Sequence, residues 1–251
     1  MRLLVVLLLF AGSAVADSTK VLSDAEIQGR ALAQRILEQR PAENSTNRGI
    51  LTIRGAQGQR SEIPVTCETV VTETNWSTRY LARLGTNSAE AVQLLVTHAG
   101  AEPNQYRFST DQKTQDSGTI KFQAGRGESG NRTLMPFAGS DFWLCDLGLE
   151  FFHWPQQKVV KKEFHRNCPC TVLESTNPHP SRDGYSRVVC WLDDDSLGIV
   201  EAYAYDDSER KLKNFYPKNL EKVNGRYRVE SMIMENLQTG SRSRLDFDSG
   251  K

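Results

Sequence analysis

The stretch Tyr185-Ser186-Arg187-Val188-Val189-Cys190-Trp191-Leu192-Asp193, followed by Asp194 and Asp195, reads as one β-strand and the turn that ends it. Val, Cys, Trp and Leu suit a pleated, half-buried surface, and consecutive aspartates break it. The unit recurs downstream, predicting strands near 198–205, 212–216, 227–234 and 241–247, with turns at Asp206-Asp207 and Asn224-Gly225. Asn-Gly between two such runs is the strongest short hairpin signal here, because both residues accept the positive φ of a tight turn. Upstream, runs near 157–165 and 169–175 continue the pattern, parted from residues 185–193 by Asn177-Pro178 and Asp183-Gly184.

The first half follows the same grammar, with strands predicted near 48–55, 62–73, 78–84, 91–98, 104–109 and 119–123. Gly55–Gln59 should turn the chain back, and Gly125–Asn131 should form an exposed loop. Two segments depart from period two. Ser23 stands three residues before Glu26, a capping box that predicts a helix with Ile27, Ala31, Gln34, Ile36 and Leu37 on its apolar side, a weak point at Gly29 and a stop at Pro41. Ser140 or Asp141 is expected to cap a short helix over Phe142–Leu149, whose apolar face is Phe142, Trp143, Cys145, Leu149 and Phe152. About a dozen strands with few helices predict a mainly β fold: a large, strongly curved antiparallel sheet with helices against its concave side.

Met1-Arg2, the apolar run Leu3–Phe10 and the small residues Ala11–Ala16 have the layout of a secretory signal peptide, with Ala14-Val15-Ala16 as the cleavage motif. Residues 1–16 are then expected to be removed and residues 17–251 to form a single domain, periplasmic or extracellular and not membrane-spanning, since a span needs about 20 apolar residues. The chain has 31 Lys and Arg against 31 Asp and Glu. Without a clustered basic surface there is no expectation of nucleic-acid binding.

Five cysteines leave at least one unpaired. If the loop 176–185 turns the strands back, Cys170 and Cys190 come almost opposite each other and could form a disulfide, with buried free thiols as the alternative. His153, His165, Cys168 and Cys170 invite a zinc reading, but Cys168-Pro169-Cys170 lacks the spacer that lets two thiolates converge, so no metal and no cofactor are expected. A hydrolase would need a nucleophile with its histidine and carboxylate, and no nucleophile elbow is present, so no catalytic residue is assigned. The aromatics Phe142, Trp143, Phe151, Phe152 and Trp154 fall within thirteen residues. With Trp191, Ile199, Met232 and Met234 they are the candidates to line an apolar cavity on the order of several hundred Å³.

Four segments also resemble a known family: Gly139-Ser140-Asp141-Phe142, Cys170-Thr171-Val172-Leu173-Glu174, the strand 185–193 quoted above, and Met232-Ile233-Met234-Glu235-Asn236-Leu237-Gln238-Thr239-Gly240. A strand ending in Tyr205-Asp206 and Val223-Asn224-Gly225 complete the pattern over residues 135–247. Together they resemble the periplasmic outer-membrane lipoprotein-sorting proteins with the LolA-like fold, in their uncharacterised single-domain branch. The resemblance implies an unclosed half-barrel whose concave face shields acyl chains of lipids or acylated lipoproteins. It also implies an inner-membrane exporter and an outer-membrane acceptor as partners. The competing expectations are a protein-binding sensor or scaffold on the same half-barrel and, less favoured, a metal-dependent or thiol hydrolase.

Overall fold

The computed structural model describes residues 21–85, 90–110, 120–123, 130–223 and 226–248. Within them the period-two runs become thirteen strands of one antiparallel sheet. They are β1 (Ser45–Arg54), β2 (Arg60–Val71), β3 (Trp76–Leu84), β4 (Glu90–Ala99), β5 (Glu102–Thr110), β6 (Ile120–Gln123), β7 (Gln156–His165), β8 (Cys168–Thr176), β9 (Arg187–Asp193), β10 (Ile199–Tyr205), β11 (Lys211–Val223), β12 (Arg226–Asn236) and β13 (Arg242–Phe247). Every predicted strand has its counterpart. The spatial order is β6-β5-β4-β3-β2-β1-β13-β12-β11-β10-β9-β8-β7, so each half meanders and the halves join where β1 lies beside β13. The edges β6 and β7 do not meet, which makes the sheet an unclosed half-barrel. Val223 pairs with Arg226, as a two-residue hairpin requires. Asn224 and Gly225, the expected signal segment with its cleavage site, and most of the expected loop 125–131 lie outside the described residues.

Alternation sorts each strand into an inner and an outer face. On β4, Val92, Leu94 and Val96 are buried and the residues between them are not. Cross-strand register extends this into apolar rows: Leu51 opposes Ile63 and Leu245, Leu245 opposes Met232, and Cys190 opposes Leu173 and Ala202. Burying each aliphatic side chain contributes about 2 kcal/mol. One cluster gathers under β1–β5 and a second under β8–β10.

Helix α1 (Asp24–Leu37) starts with the predicted capping box: Ser23 N donates to Glu26 Oε2 at 2.8 Å and Glu26 N to Ser23 Oγ at 3.4 Å. Its buried face is Gly29, Leu32, Ala33 and Ile36, at helical spacing. The expected stripe is therefore displaced, and Ile27 is 53% exposed. The reason is Gly29. A Cβ there would lie 2.5 Å from Lys158 N and 2.6 Å from Gln157 C, so the glycine marks where the helix backbone rests on β7. The second helix, α2 (Leu144–Leu147), is shorter than expected, and neither Ser140 nor Asp141 caps it. Asp146 accepts from Trp143 N at 2.8 Å instead. Ser140 Oγ serves the preceding turn, donating to Phe137 O at 2.7 Å. Among the described residues no helix is long and apolar enough to cross a membrane.

Candidate functional site: the covered concave face

Two covers lie on the concave face. One is α1; the other is the segment 134–154, which carries α2 and a 3₁₀ turn at Glu150–His153. Both add apolar side chains to the core, yet polar contacts tie them down.

The first tie is Lys213, on the inward parity of β11 beside Phe215 and only 2% exposed. Its Nζ donates to Asp141 O at 2.6 Å, stands 3.6 Å from Asp146 Oδ2 and sits 3.5 Å above the Trp143 ring. Asp146 also accepts the Tyr185 hydroxyl at 2.9 Å, and Trp143 stacks on Tyr185. Ser241 and Ser243 hydroxyls donate to the Asp141 carboxylate at 2.6 and 2.7 Å. Burial pulls the Lys213 pKa down, and the Asp146 carboxylate opposes that shift. A buried cation so compensated is costly to unpair.

The second tie is Glu150, 5% exposed. Tyr106 OH donates to its Oε2 at 2.9 Å, and Asn104 Nδ2 donates to Gly148 O at 2.7 Å. Burial pushes the Glu150 carboxyl up to about 7, although hydrogen bonds from Tyr106 and Asn104 pull the other way. Nearby, His98 stacks on Trp76 with ring centroids 3.8 Å apart. Burial, then the neighbouring His153, lowers His98 to about 4; burial lowers His153 to about 4 as well. The third tie is Arg40, just past α1, whose guanidinium donates to the carbonyls of Thr72, Glu73 and Asn75 between β2 and β3.

Between the second cover and β9–β12 a cavity remains, bordered by Asp146, Phe151, Tyr185, Lys213, Phe215 and Met234. Its volume is about 30 Å³, room for one or two waters. Among the described residues this cavity is smaller than the several hundred Å³ expected. Ala202 and Ala204 border it from the sheet, and Leu149 and Phe151 border it from the cover.

Of the nine apolar candidates, Phe151 and Met234 border the cavity. Phe142 and Met232 belong to the cluster under β1–β5; Trp143, Phe152, Trp154 and Ile199 belong to the one under β8–β10. Trp191 is misplaced by the expectation. It opposes Val172 and Glu201, one residue out of phase with inward-facing Cys190, so it lies on the outer face, donating to Glu163 Oε1 at 2.6 Å and stacking with His165. The disulfide expectation fails on register. Cys170 opposes Asp193 and Cys190 opposes Leu173, which puts the two thiols on opposite faces, and all five cysteines are free. His153 and His165 do not converge: His165 Nε2 is 2.7 Å from Glu201 Oε2 on the outer face, while His153 sits in the cover beside His98. Among the described residues no group of three or more His, Cys, Asp or Glu could hold a metal ion. Sequence reasoning missed Lys213, Asp146, Tyr185 and Glu150. A usable signal existed for Lys213, a lysine on the same parity as Phe215.

A family model described only as an uncharacterised protein matches residues 125–251, half of the chain. No curated protein matches. Three solved structures repeat the fold. A DUF1329 family protein from Desulfovibrio piger is 17% identical, with 90% of this chain and 92% of that one covered and a TM-score of 0.69. A domain named for outer membrane lipoprotein sorting, from Vibrio parahaemolyticus, is 18% identical over 90% and 94% of the two chains, TM-score 0.69. A LolA superfamily protein from Nitrosomonas europaea is 16% identical over 90% and 93%, TM-score 0.59. With half of the sequence under one family model and the whole sheet repeated in these structures, the chain belongs to that family of uncharacterised proteins with a LolA-like fold.

Proposed function

We propose that the protein is a non-enzymatic periplasmic carrier that takes up the acyl chains of lipids or acylated lipoproteins for outer-membrane sorting. The observation that carries this reading is the cover: a broad apolar concave face closed by α1 and segment 134–154, tied down through buried polar groups. Covered in this way, the face is in a closed state, and cargo enters as the cover swings out. Each methylene moved from water onto the sheet contributes about 0.8 kcal/mol, so a long chain supplies on the order of 10 kcal/mol towards displacing it. Phe142, Trp143, Phe151, Phe152, Trp154, Ile199, Met232 and Met234 then line the groove; Trp191 does not, facing outward.

The small volume of this cavity favours one second reading, a scaffold that binds a protein partner on the closed half-barrel. Native mass spectrometry of protein purified from its own periplasm, with extraction and lipid analysis, separates them. Stoichiometric lipid or acylated peptide supports the carrier. An apo mass together with no saturable, competable uptake of fluorescent fatty acids rejects it in favour of the scaffold.

A further inference from the structure

The turn between β7 and β8 is two residues long: Arg166 and Asn167 both have positive φ, 45° and 67°, and His165 pairs directly with Cys168. Cys168 is therefore the first residue of β8, partly exposed, and Cys170 follows two positions on, on the same side of the strand, 1% exposed. Their sulfurs lie 3.5 Å apart. The other three thiols, Cys67, Cys145 and Cys190, are buried, and none of them lies on β7, β8 or the turn between them. One accessible thiol backed by one sheltered thiol is the arrangement of an attacking and a resolving cysteine.

We propose that Cys168 and Cys170 form a redox-active dithiol that closes to a reversible disulfide in exchange with an external low-molecular-weight disulfide. The Cys168 thiolate attacks one sulfur of the external disulfide, forming a mixed disulfide and releasing one thiol. Cys170 loses its proton and attacks Cys168 Sγ; the 168–170 bond forms, the mixed bond breaks and the second thiol leaves. Two protons and two electrons pass from the protein to the oxidant. Burial, then the adjacent Cys168 thiol, pushes the Cys170 thiol upward, which leaves Cys168 as the attacking partner. Residues two apart on a strand have Cα atoms about 6.6 Å apart. That is the long end of the range a disulfide spans, so closure must shorten the start of β8, and a bond formed under strain is readily reopened.

The test equilibrates the full chain with oxidised and reduced glutathione at a series of ratios, quenches with an alkylating agent and weighs the peptide that holds both cysteines. The expected result is a peptide lighter by two hydrogens that loses both alkylation sites together, and is restored by excess reduced glutathione. Cys170→Ser should arrest at a glutathione adduct on Cys168, and Cys168→Ser should leave Cys170 unmodified. Both thiols remaining alkylatable at the most oxidising ratio would overturn the proposal. So would a wild-type chain that stops at the Cys168 adduct, pairs either thiol with another cysteine or resists reduction, whether or not the variants fold.

Discussion

Replacing Glu150 with glutamine should make the protein gain stability over the wild type as pH rises. The folded state keeps the Glu150 proton up to about pH 7, whereas an ordinary glutamate releases it near 4.5. Between those values the folded protein binds the extra proton, so wild-type stability falls with rising pH. At about 1.4 kcal/mol for each pH unit, the interval is worth about 3 kcal/mol. Glutamine keeps an acceptor for the Tyr106 hydroxyl and has nothing to titrate. Any constant cost of the new amide shifts the whole curve without changing its slope. Urea unfolding of both proteins from pH 4.5 to 8 gives the difference directly, and the histidine contributions common to both cancel. The difference should move by about 3 kcal/mol in favour of Glu150→Gln across that range. A flat difference, or one moving the other way, would mean that Glu150 is hydrated in solution and that the cover does not seal this part of the sheet.

His98→Phe should act at the acid end: the folded state holds His98 neutral down to about pH 4, so its share of stability, up to about 3 kcal/mol, is lost as pH falls from 6.5 to 4 in the wild type and not in the variant, by urea unfolding. Lys213→Met should cost about 3 to 5 kcal/mol by leaving Asp146 buried without its cation, and Lys213→Met with Asp146→Asn should recover part of that, read as the coupling in a double-mutant cycle. Gly29→Ala should destabilise by about 1 to 3 kcal/mol in thermal or urea unfolding, although alanine is the better helix former by about 1 kcal/mol, because its Cβ would enter the backbone of Gln157 and Lys158.

The strands were legible because each needed only local evidence. Alternation and a turn residue at either end located β9 and β10 nearly to the residue, as Asp193, Asp206 and Asp207 marked where pairing stops. Ser23 and Glu26 located the start of α1 for the same reason. What could not be read locally was which partner each element would meet. Gly29 looked like a flaw in a helix until β7 was set against it. Cys170 and Cys190 looked opposed because loop length alone does not set register, and a slip of three residues sends side chains to opposite faces. Trp191 was assigned inward for want of a parity reference, which the buried neighbours Cys190 and Leu192 supply.

The ties on the cover were the least legible of all, since Lys213, Asp141 and Asp146 lie up to 72 positions apart and each alone resembles a solvated surface charge. Their placement bears on how the concave face opens. A cover held by apolar contact alone has nothing to recover on leaving the sheet, because its exposed surface costs about 25 cal/mol for each Å². Lys213, Asp146 and Glu150 change that balance: each gives up its partners when the cover lifts, yet each regains the water that burial had denied it. On the carrier reading, opening therefore exchanges protein hydrogen bonds for hydration while incoming acyl chains take over the apolar rows. The same argument predicts that a cover with its buried charges replaced by matched apolar side chains would be harder to displace, with slower fatty-acid uptake and no loss of folding stability. Faster uptake in such a variant would place the barrier to opening in the charged ties themselves.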